Sequence, residues 1–98
     1  MTGEHVRIDK WLWHARFYRS RVLAQQAAAS GLLRLNGLRV ERASAGVRPG
    51  DIVTVPHGRD VLAVRVEAVA VRRGPSAEAR KLYTIMGERL LDPAAPAS

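Results

Sequence analysis

The chain has 98 residues and carries 16 Lys and Arg against 9 Asp and Glu, a net charge of +7 at pH 7. A chain of this length forms one modest core, so we predict a single domain over residues 1–98 and exclude a large enclosed active site. The sequence has no cysteine, which excludes disulfides and thiol chemistry and favours a cytoplasmic location. It shows neither a signal peptide nor an apolar run of ~18 residues, so we expect no membrane partner.

The positive charge is concentrated in the first half of the chain. Residues 1–50 contain nine basic and three acidic side chains, a net charge of +6, whereas residues 51–98 contain seven and six, a net charge of +1. Of the 16 basic residues, 14 are arginine, whose planar guanidinium group makes bidentate contacts with phosphate. This asymmetry indicates a polyanion-binding face on a near-neutral support. The alternative is a basic surface that is only solvated.

Two short helices are predicted near the N-terminus. The first covers residues 8–17, where four apolar residues fall on one face at helical spacing and are expected in the core: Ile8, Trp11, Leu12 and Ala15. Ser20 is a favourable N-cap for the second helix, over residues 21–30, and Gly31 is the expected residue at its C-terminal end.

A β-hairpin is predicted around Asn36-Gly37, because this pair between alternating apolar residues favours a two-residue turn. The resulting register opposes Arg34 to Arg39 on one face. The other face is directed to the core and consists of Leu33, Leu35, Leu38 and Val40. Like charges that face each other across two strands are destabilising, so a phosphate backbone across this pair would turn repulsion into attraction. The alternative is that both side chains extend into water.

The second half of the chain is predicted to support the first. Its elements are strands over residues 52–55 and 61–71, a break at 72–75, and a helix over 77–86 between the N-cap Ser76 and Gly87. The predicted fold class is α+β: two N-terminal helices packed on a small, mainly antiparallel sheet, plus a C-terminal helix. Residues 7–55 form the helix–helix–hairpin core, residues 56–90 the supporting strand and C-terminal helix, and residues 91–98 a frayed tail.

Side chains suited to catalysis are scarce. His5, His14 and His57 lack metal-ligand spacing, and the sequence has no Gly-rich phosphate loop. Asp9 fits a helix-capping or arginine-pairing residue better than an acid catalyst. Trp13, which points away from the apolar face of its helix, either stacks on a base or covers the core from the side. We therefore predict no enzyme activity, no catalytic residue, no metal and no cofactor.

Binding of structured RNA is the function that this charge pattern favours. Five positive side chains occur within 15 residues, opposed by Asp9 alone: Arg7, Lys10, Arg16, Arg19 and Arg21. Arg19 and Arg21 flank the start of the second helix, whose free N–H groups and dipole attract anions. Ser20 can bond either to the backbone there or to a phosphate. A charge run is most often a solvated face, but here it adjoins an arginine-bearing hairpin.

Five sequence elements, in order, resemble the RNA-binding domain named after small-subunit ribosomal protein S-four. They are Arg7 with Asp9, Ser20 with Arg21, Gly31, Asn36 with Gly37, and Gly50 with Asp51. The segment RIDKWLWHARFYRSR is similar to bacterial heat-shock protein fifteen. The segment EARKLYTIMGERL is similar to its short ribosome-associated quality-control relative. The resemblance covers about residues 6–90.

The resemblance implies the alpha-L RNA-binding motif. It also implies a protein that binds a large ribosomal subunit carrying peptidyl-tRNA after a stalled ribosome has split. Its partners would be ribosomal RNA, tRNA and a nascent-chain quality-control factor, and we expect the protein itself to be a monomer. The RNA-binding residues so implied, with Arg16 added from the charge pattern, are Arg7, Lys10, Arg16, Arg19, Ser20, Arg21, Gln25, Arg34, Asn36 and Arg39.

Two alternatives remain open at this point. One is a general structured-RNA chaperone without a fixed ribosomal site. The other is an accessory module of an RNA-modifying enzyme, which would require a catalytic domain. Heat-shock protein fifteen has a long basic C-terminal extension, whereas this sequence ends in DPAAPAS, so the short quality-control relative is the better match.

Overall fold

A computed structural model describes residues 5–57, 60–70 and 73–90. Its strands are β1 (Val6–Arg7), β2 (Arg34–Leu35), β3 (Leu38–Arg39), β4 (Gly46–Val47), β5 (Ile52–His57), β6 (Asp60–Val66) and β7 (Tyr83–Leu90). Its helices are α1 (Ile8–His14), α2 (Arg21–Ala29) and α3 (Ser76–Ala79), which continues as a 3₁₀ turn over Arg80–Leu82. The predicted frayed tail, residues 91–98, lies outside the described residues.

The two N-terminal helices are present, and the first is shorter than predicted. The apolar face of α1 is buried, as its spacing indicates, but the helix ends at His14 because Arg16 adopts a left-handed backbone with φ of 67°. The Ser20 hydroxyl accepts a hydrogen bond from the Leu23 N–H at 3.1 Å and caps α2. Gly31, with φ of +82°, follows the last turn of α2. The predicted caps of the second helix are confirmed.

The main sheet is antiparallel and has the strand order β3-β2-β5-β6-β7. Asn36 and Gly37 both have positive φ, 53° and 86°, as a two-residue type I′ turn requires. The predicted register is confirmed, since Arg34 opposes Arg39. The prediction that Leu38 faces the core is wrong, because this side chain is 74% exposed. It lies on β3 at the edge of the sheet, where the core no longer covers it.

The C-terminal helix is much shorter than the predicted range of residues 77–86. It ends at Ala79, and the chain from Tyr83 to Leu90 pairs antiparallel with β6. Aromatic and β-branched residues such as Tyr83, Thr84 and Ile85 fit a strand better than a helix, and β6 offers them a partner. The α+β class is confirmed, with a single-turn helix in place of the longer one. The strand predicted over residues 61–71 ends at Val66.

One apolar cluster joins α1 and α2 to the inner faces of β5 and β6. Trp11 is fully buried, and its Nε1 donates to the Ala68 carbonyl oxygen at 3.0 Å. Phe17 packs between the rings of Trp11 and Tyr83, with centroids 6.0 and 4.7 Å away. The aromatic contacts therefore fix α1 against the end of the sheet. None of the helices in the described part of the chain is long and apolar enough to cross a membrane.

Candidate nucleic-acid interface

A buried carboxylate holds together basic side chains from the starts of two helices. Asp9 has no exposed surface, and its oxygens accept hydrogen bonds from Nε and Nη2 of Arg7 at 3.2 and 3.1 Å. Nε of Arg21 lies 3.6 Å from Asp9 Oδ2, an ion pair without a hydrogen bond. The Gln25 side chain also hydrogen-bonds this carboxylate. We call these four residues the Asp9 cluster. The two ion pairs confirm the interpretation of Asp9 as an arginine-pairing residue.

The Asp9 cluster carries a net positive charge. Burial by itself raises the pKa of Asp9, but the hydrogen bonds from Arg7 and Gln25 and the charges of Arg21 and Arg7 outweigh it, so the pKa lies below its usual value. Asp9 is therefore ionised at neutral pH. One carboxylate faces two guanidinium groups whose side chains remain 47% and 37% exposed. A net positive charge with free N–H donors thus faces solvent.

The start of α1 is closed by a loop instead of by a side-chain cap. The N–H groups of Ile8 and Asp9 donate to the carbonyl oxygens of Ala45 and Ala43 at 2.7 and 3.4 Å. The same loop supplies β4, which pairs with β1 and places Arg7 opposite Gly46. The loop that follows the hairpin in sequence therefore packs against the segment that carries Arg7 and Asp9.

The remaining predicted residues of the helical region differ in how they are held. Arg19 is exposed in the bend before α2, and Lys10 is half-buried on α1. The Ser20 hydroxyl is engaged as the cap of α2. Arg16 is directed elsewhere, since its Nε and Nη2 donate to the Gly74 carbonyl at 3.1 and 2.7 Å. The structure therefore brings Arg7, Arg21 and Gln25 together but ties Arg16 to the loop before α3.

Trp13 is covered by an arginine of the C-terminal half. The Arg73 guanidinium lies 5.4 Å from the centre of the Trp13 ring, and its Nε donates to the Trp13 carbonyl at 3.1 Å. Among the described residues, Trp13 is not one of the side chains that pack against the apolar cluster, so stacking on a base and covering the core from the side both stay predictions.

The hairpin carries two arginines whose side chains diverge. Nη1 of Arg34 lies 3.5 Å from the Gly37 carbonyl oxygen, at the turn. The Arg39 guanidinium lies across Gly31, so close that a Cβ there would overlap it. That position is just beyond the C-terminus of α2, where free carbonyl groups favour a cation. Divergence reduces the repulsion that direct opposition imposes, while both residues remain exposed.

Asn36 has a structural role in the hairpin. Its Oδ1 accepts from the Ile52 N–H at 2.8 Å, and its Nδ2 donates to Asp51 Oδ1 at 3.1 Å. Asp51 Oδ2 in turn accepts from the Arg48 N–H at 3.0 Å. The turn is thereby fastened to the start of β5. The Asn-Gly and Gly-Asp elements of the sequence pattern are thus explained by contact between them.

Sequence reasoning missed two exposed arginines near this surface. Arg42 follows β3, and Arg48 follows β4. The available signal was their membership of the +6 half of the chain, but neither lies in a periodic element. Arg48 is joined to the hairpin turn through Asp51, whose carboxylate bonds both the Arg48 N–H and Asn36 Nδ2. Among the described residues, no group of three or more potential metal ligands occurs.

His14 is the second buried titratable group on α1. It is 1% exposed, a ring N–H donates to the Ala70 carbonyl, and Nδ1 has no hydrogen-bond partner among the described residues. Burial, followed by the positive charges of Lys10, Arg21 and Arg73, lowers the pKa of His14. A neutral imidazole is consistent with a core residue beside a basic surface.

Comparison with known proteins identifies the family. A family model described as "S4 domain" matches residues 6–53. The RQC P-site tRNA stabilizing factor of Bacillus subtilis is 35% identical over 86 residues, which cover 88% of this chain and 98% of that protein. The chain belongs to the S4-domain family. This family is one of RNA-binding proteins, and the resemblance noted from the motifs is confirmed.

Two further comparisons concern heat shock protein 15. The Escherichia coli K12 protein is 41% identical to this S4-domain chain over 78 residues, 80% of the chain. The match spans only 58% of the length of that relative. A solved structure of Vibrio cholerae heat shock protein 15, described as trimeric, superposes with a TM-score of 0.79 at 37% identity. It covers 86% of this chain and 84% of that one, and it supports the fold as described.

Proposed function

We propose that this S4-domain protein binds the large ribosomal subunit that still carries peptidyl-tRNA after a stalled ribosome has split, and helps to hold that tRNA. The B. subtilis relative, which the match covers almost completely, is named for stabilising P-site tRNA. The E. coli relative is named as a heat shock protein. These two names support the proposed role, which is rescue of stalled translation in the cytoplasm under stress.

The Asp9 cluster is the observation that carries this proposal. A buried carboxylate fixes Arg7 and Arg21, and so limits the side-chain entropy that two free arginines would lose on binding. Both arginine side chains remain partly exposed, and a guanidinium group suits charge-assisted contact with phosphate. The arrangement therefore provides a preformed site for a folded RNA backbone.

The predicted residues take different roles in this proposal. Arg7, Lys10, Arg19 and Arg21 contact phosphates of one RNA segment, and Arg34 and Arg39 contact a second segment. Ser20, Gln25 and Asn36 position these side chains, through the α2 cap, the Asp9 carboxylate and the turn. Arg16 acts through the loop that it holds at Gly74.

Sedimentation of ribosomal particles tests the proposal. Lysates made after induced stalling are separated on sucrose gradients, and the full-length protein is followed beside peptidyl-tRNA. We expect it with free large subunits that carry peptidyl-tRNA, and its removal by release of the nascent chain. A distribution over all RNA fractions would instead support the general RNA chaperone.

The oligomeric state and a protein partner are two further parts of the proposal, and each is tested by a measurement of its own. We propose a monomer in solution, which light scattering at micromolar concentration measures directly. We also propose a nascent-chain quality-control factor as a partner on the same subunit. That partner should co-purify with the protein only when large subunits are present, because the subunit brings the two together.

A further inference from the structure

An open recess of about 530 Å³ lies beside β3. Its lining combines apolar with charged side chains, whereas phosphate binding alone would need only the charged ones. Leu35, Leu38 and Ala45 contribute apolar surface, whereas Arg39, Glu41 and Arg42 contribute charge. Leu38 is the most exposed of the large apolar side chains in the described residues, at 74%. An exposed leucine at the rim of a recess costs solvation free energy that a ligand can recover.

The recess adjoins segments that carry both groups of basic side chains. Ala45, in its lining, accepts the N–H of Ile8 at the start of α1, in the segment that carries Arg7 and Asp9. Arg39 of the hairpin also lines the recess. An RNA strand that contacts both groups would therefore pass close to it.

The backbone of β3 adds hydrogen-bonding groups at the same place. The Val40 N–H donates to the Leu33 carbonyl at 2.9 Å, so Leu33 and Val40 form a hydrogen-bonded pair. Because such pairs alternate along an antiparallel ladder, the next pair, Arg34 and Arg39, is not hydrogen-bonded. The N–H and C=O of Arg39 consequently point away from β2. Because β3 is the edge strand, these groups face outward from the sheet.

We propose that this recess binds one unpaired nucleotide of the RNA, with guanine as the best-matched base; the proposal rests on the proposed RNA-binding function. Its volume lies within the ~300–1,000 Å³ of small-molecule sites. The apolar residues pack against the base, and Arg42 contacts an adjoining phosphate. The Glu41 carboxylate accepts hydrogen bonds from the N–H groups on the Watson–Crick edge of guanine, which is accessible only in an unpaired base.

Charge favours a nucleotide over a protein segment as the occupant. Within the described part of the chain, neither the Glu41 carboxylate nor the Arg42 guanidinium has a hydrogen bond or ion pair to another side chain. A nucleotide offers N–H donors to the first and a phosphate to the second. A hydrophobic peptide would leave both charges unmatched and partly desolvated.

A pair of RNA hairpins tests the proposal on the full chain. One hairpin contains a single unpaired guanosine in its stem, and the other has the same stem without it. We expect wild-type protein to bind the first more tightly. Leu38→Ser should weaken binding of the first hairpin about five- to tenfold, because apolar contact with the base is lost, and leave the second unchanged.

Ile85→Ser is the matched control. Ile85 is an isomeric side chain, 56% exposed, on β7 at the opposite edge of the sheet. It should leave binding of both hairpins unchanged. Thermal melting of both variants checks that they fold, and Arg42→Gln, which keeps the apolar lining, gives a second test if Leu38→Ser unfolds. It should weaken binding of the guanosine-containing hairpin more than that of the uninterrupted stem.

Glu41→Gln tests how the base is read. Replacing the unpaired guanosine with uridine should weaken wild-type binding about fivefold or more, and this preference should be largely lost in the variant. If wild-type protein binds the hairpin with the unpaired guanosine and the uninterrupted stem equally well, the nucleotide site is overturned but RNA binding is not. If wild-type protein binds neither of these two hairpins, the proposed function is overturned as well. Loss of large-subunit association by Leu38→Ser, with hairpin binding intact, would assign the recess to a protein instead.

Discussion

The two groups of basic side chains in this protein are held by different means. In the Asp9 cluster, arginines from the starts of α1 and α2 meet on a carboxylate that has no contact with water. In the hairpin, Arg34 and Arg39 oppose each other on a two-residue turn, where no carboxylate of the described residues pairs with them. We therefore expect changes in the first group to affect folding and changes in the second to leave the fold intact.

The largest effect is expected from the hairpin arginines. Arg34→Thr with Arg39→Thr should weaken RNA binding by a few kcal/mol at low salt, because two charge-assisted contacts of ~1.5–3 kcal/mol each are lost. The free energy of unfolding should change by less than about 0.5 kcal/mol. Relief of like-charge opposition and gain of β-branched residues offset the lost contact of Arg39 with the end of α2.

Salt titration and thermal melting of the same two proteins measure both parts. For wild-type protein, log affinity should fall against log salt with a slope of roughly −3 to −5. The double variant should have a slope about 2 units shallower, since two phosphate contacts are gone. A variant that unfolds easily would show that the hairpin arginines stabilise the fold, and the contrast with the Asp9 cluster would disappear.

Asp9→Asn should produce the opposite pattern. It leaves Arg7 and Arg21 without their shared charge partner, and we expect a loss of roughly 2–3 kcal/mol in the free energy of unfolding. Both arginines are partly exposed and regain water, which keeps the loss below that of a fully buried pair. Chemical denaturation measures it. The control Glu78→Gln, which removes an exposed partner of Lys81 at 3.8 Å, should cost less than about 0.5 kcal/mol.

Acid adds a second measurement of the same carboxylate. Because the pKa of Asp9 is lowered in the folded protein, its stabilisation is complete above about pH 4 and is lost as pH falls through the folded value. Asp9→Asn should remove that part of the acid sensitivity. Equal acid sensitivity in the variant and the wild-type protein would mean that another group is responsible.

Gly31→Ala connects the two regions and should have an intermediate effect. The residue has φ of +82°, which an alanine adopts at a cost of about 1 kcal/mol. The added Cβ also displaces the guanidinium of Arg39. We expect a lower melting temperature together with a change in RNA affinity, whereas Gly37→Ala, with φ of 86° and open space around it, should lower the melting temperature without moving Arg39.

The smallest effect concerns His14, whose pKa depends on the positive side chains of the helical region. Its pKa is lowered by burial and by Lys10 and Arg21, so the folded state resists protonation. The free energy of unfolding should decline as pH falls below about 6.5, the usual histidine value. Denaturation between pH 7 and 5.5 tests this, and His14→Gln should flatten the curve. The hairpin double variant should keep the wild-type curve if the two groups of charges are independent.

Local chemistry determined much of what the sequence predicted correctly. A Ser N-cap, a left-handed Gly after α2 and an Asn-Gly turn depend on the conformations of two or three neighbouring residues. The periodicity of Ile8, Trp11 and Leu12 likewise identifies a buried face without knowledge of its partner. The family followed from motifs of this kind in order, as the comparisons confirm. The assignment of individual residues to RNA stays a prediction.

Tertiary structure decided what local chemistry leaves open. Residues 83–86 became a strand because β6 offers hydrogen-bond partners to their backbone, and Leu38 became exposed because its strand lies at the sheet edge. Arg16 donates to the Gly74 carbonyl, and Arg7 and Arg21 share the Asp9 carboxylate. Both arrangements depend on contact between segments that are separated in sequence. The sequence by itself determined that a basic, turn-rich half exists. Only long-range contacts, which no local pattern encodes, decided which of its charges share a partner and which remain exposed.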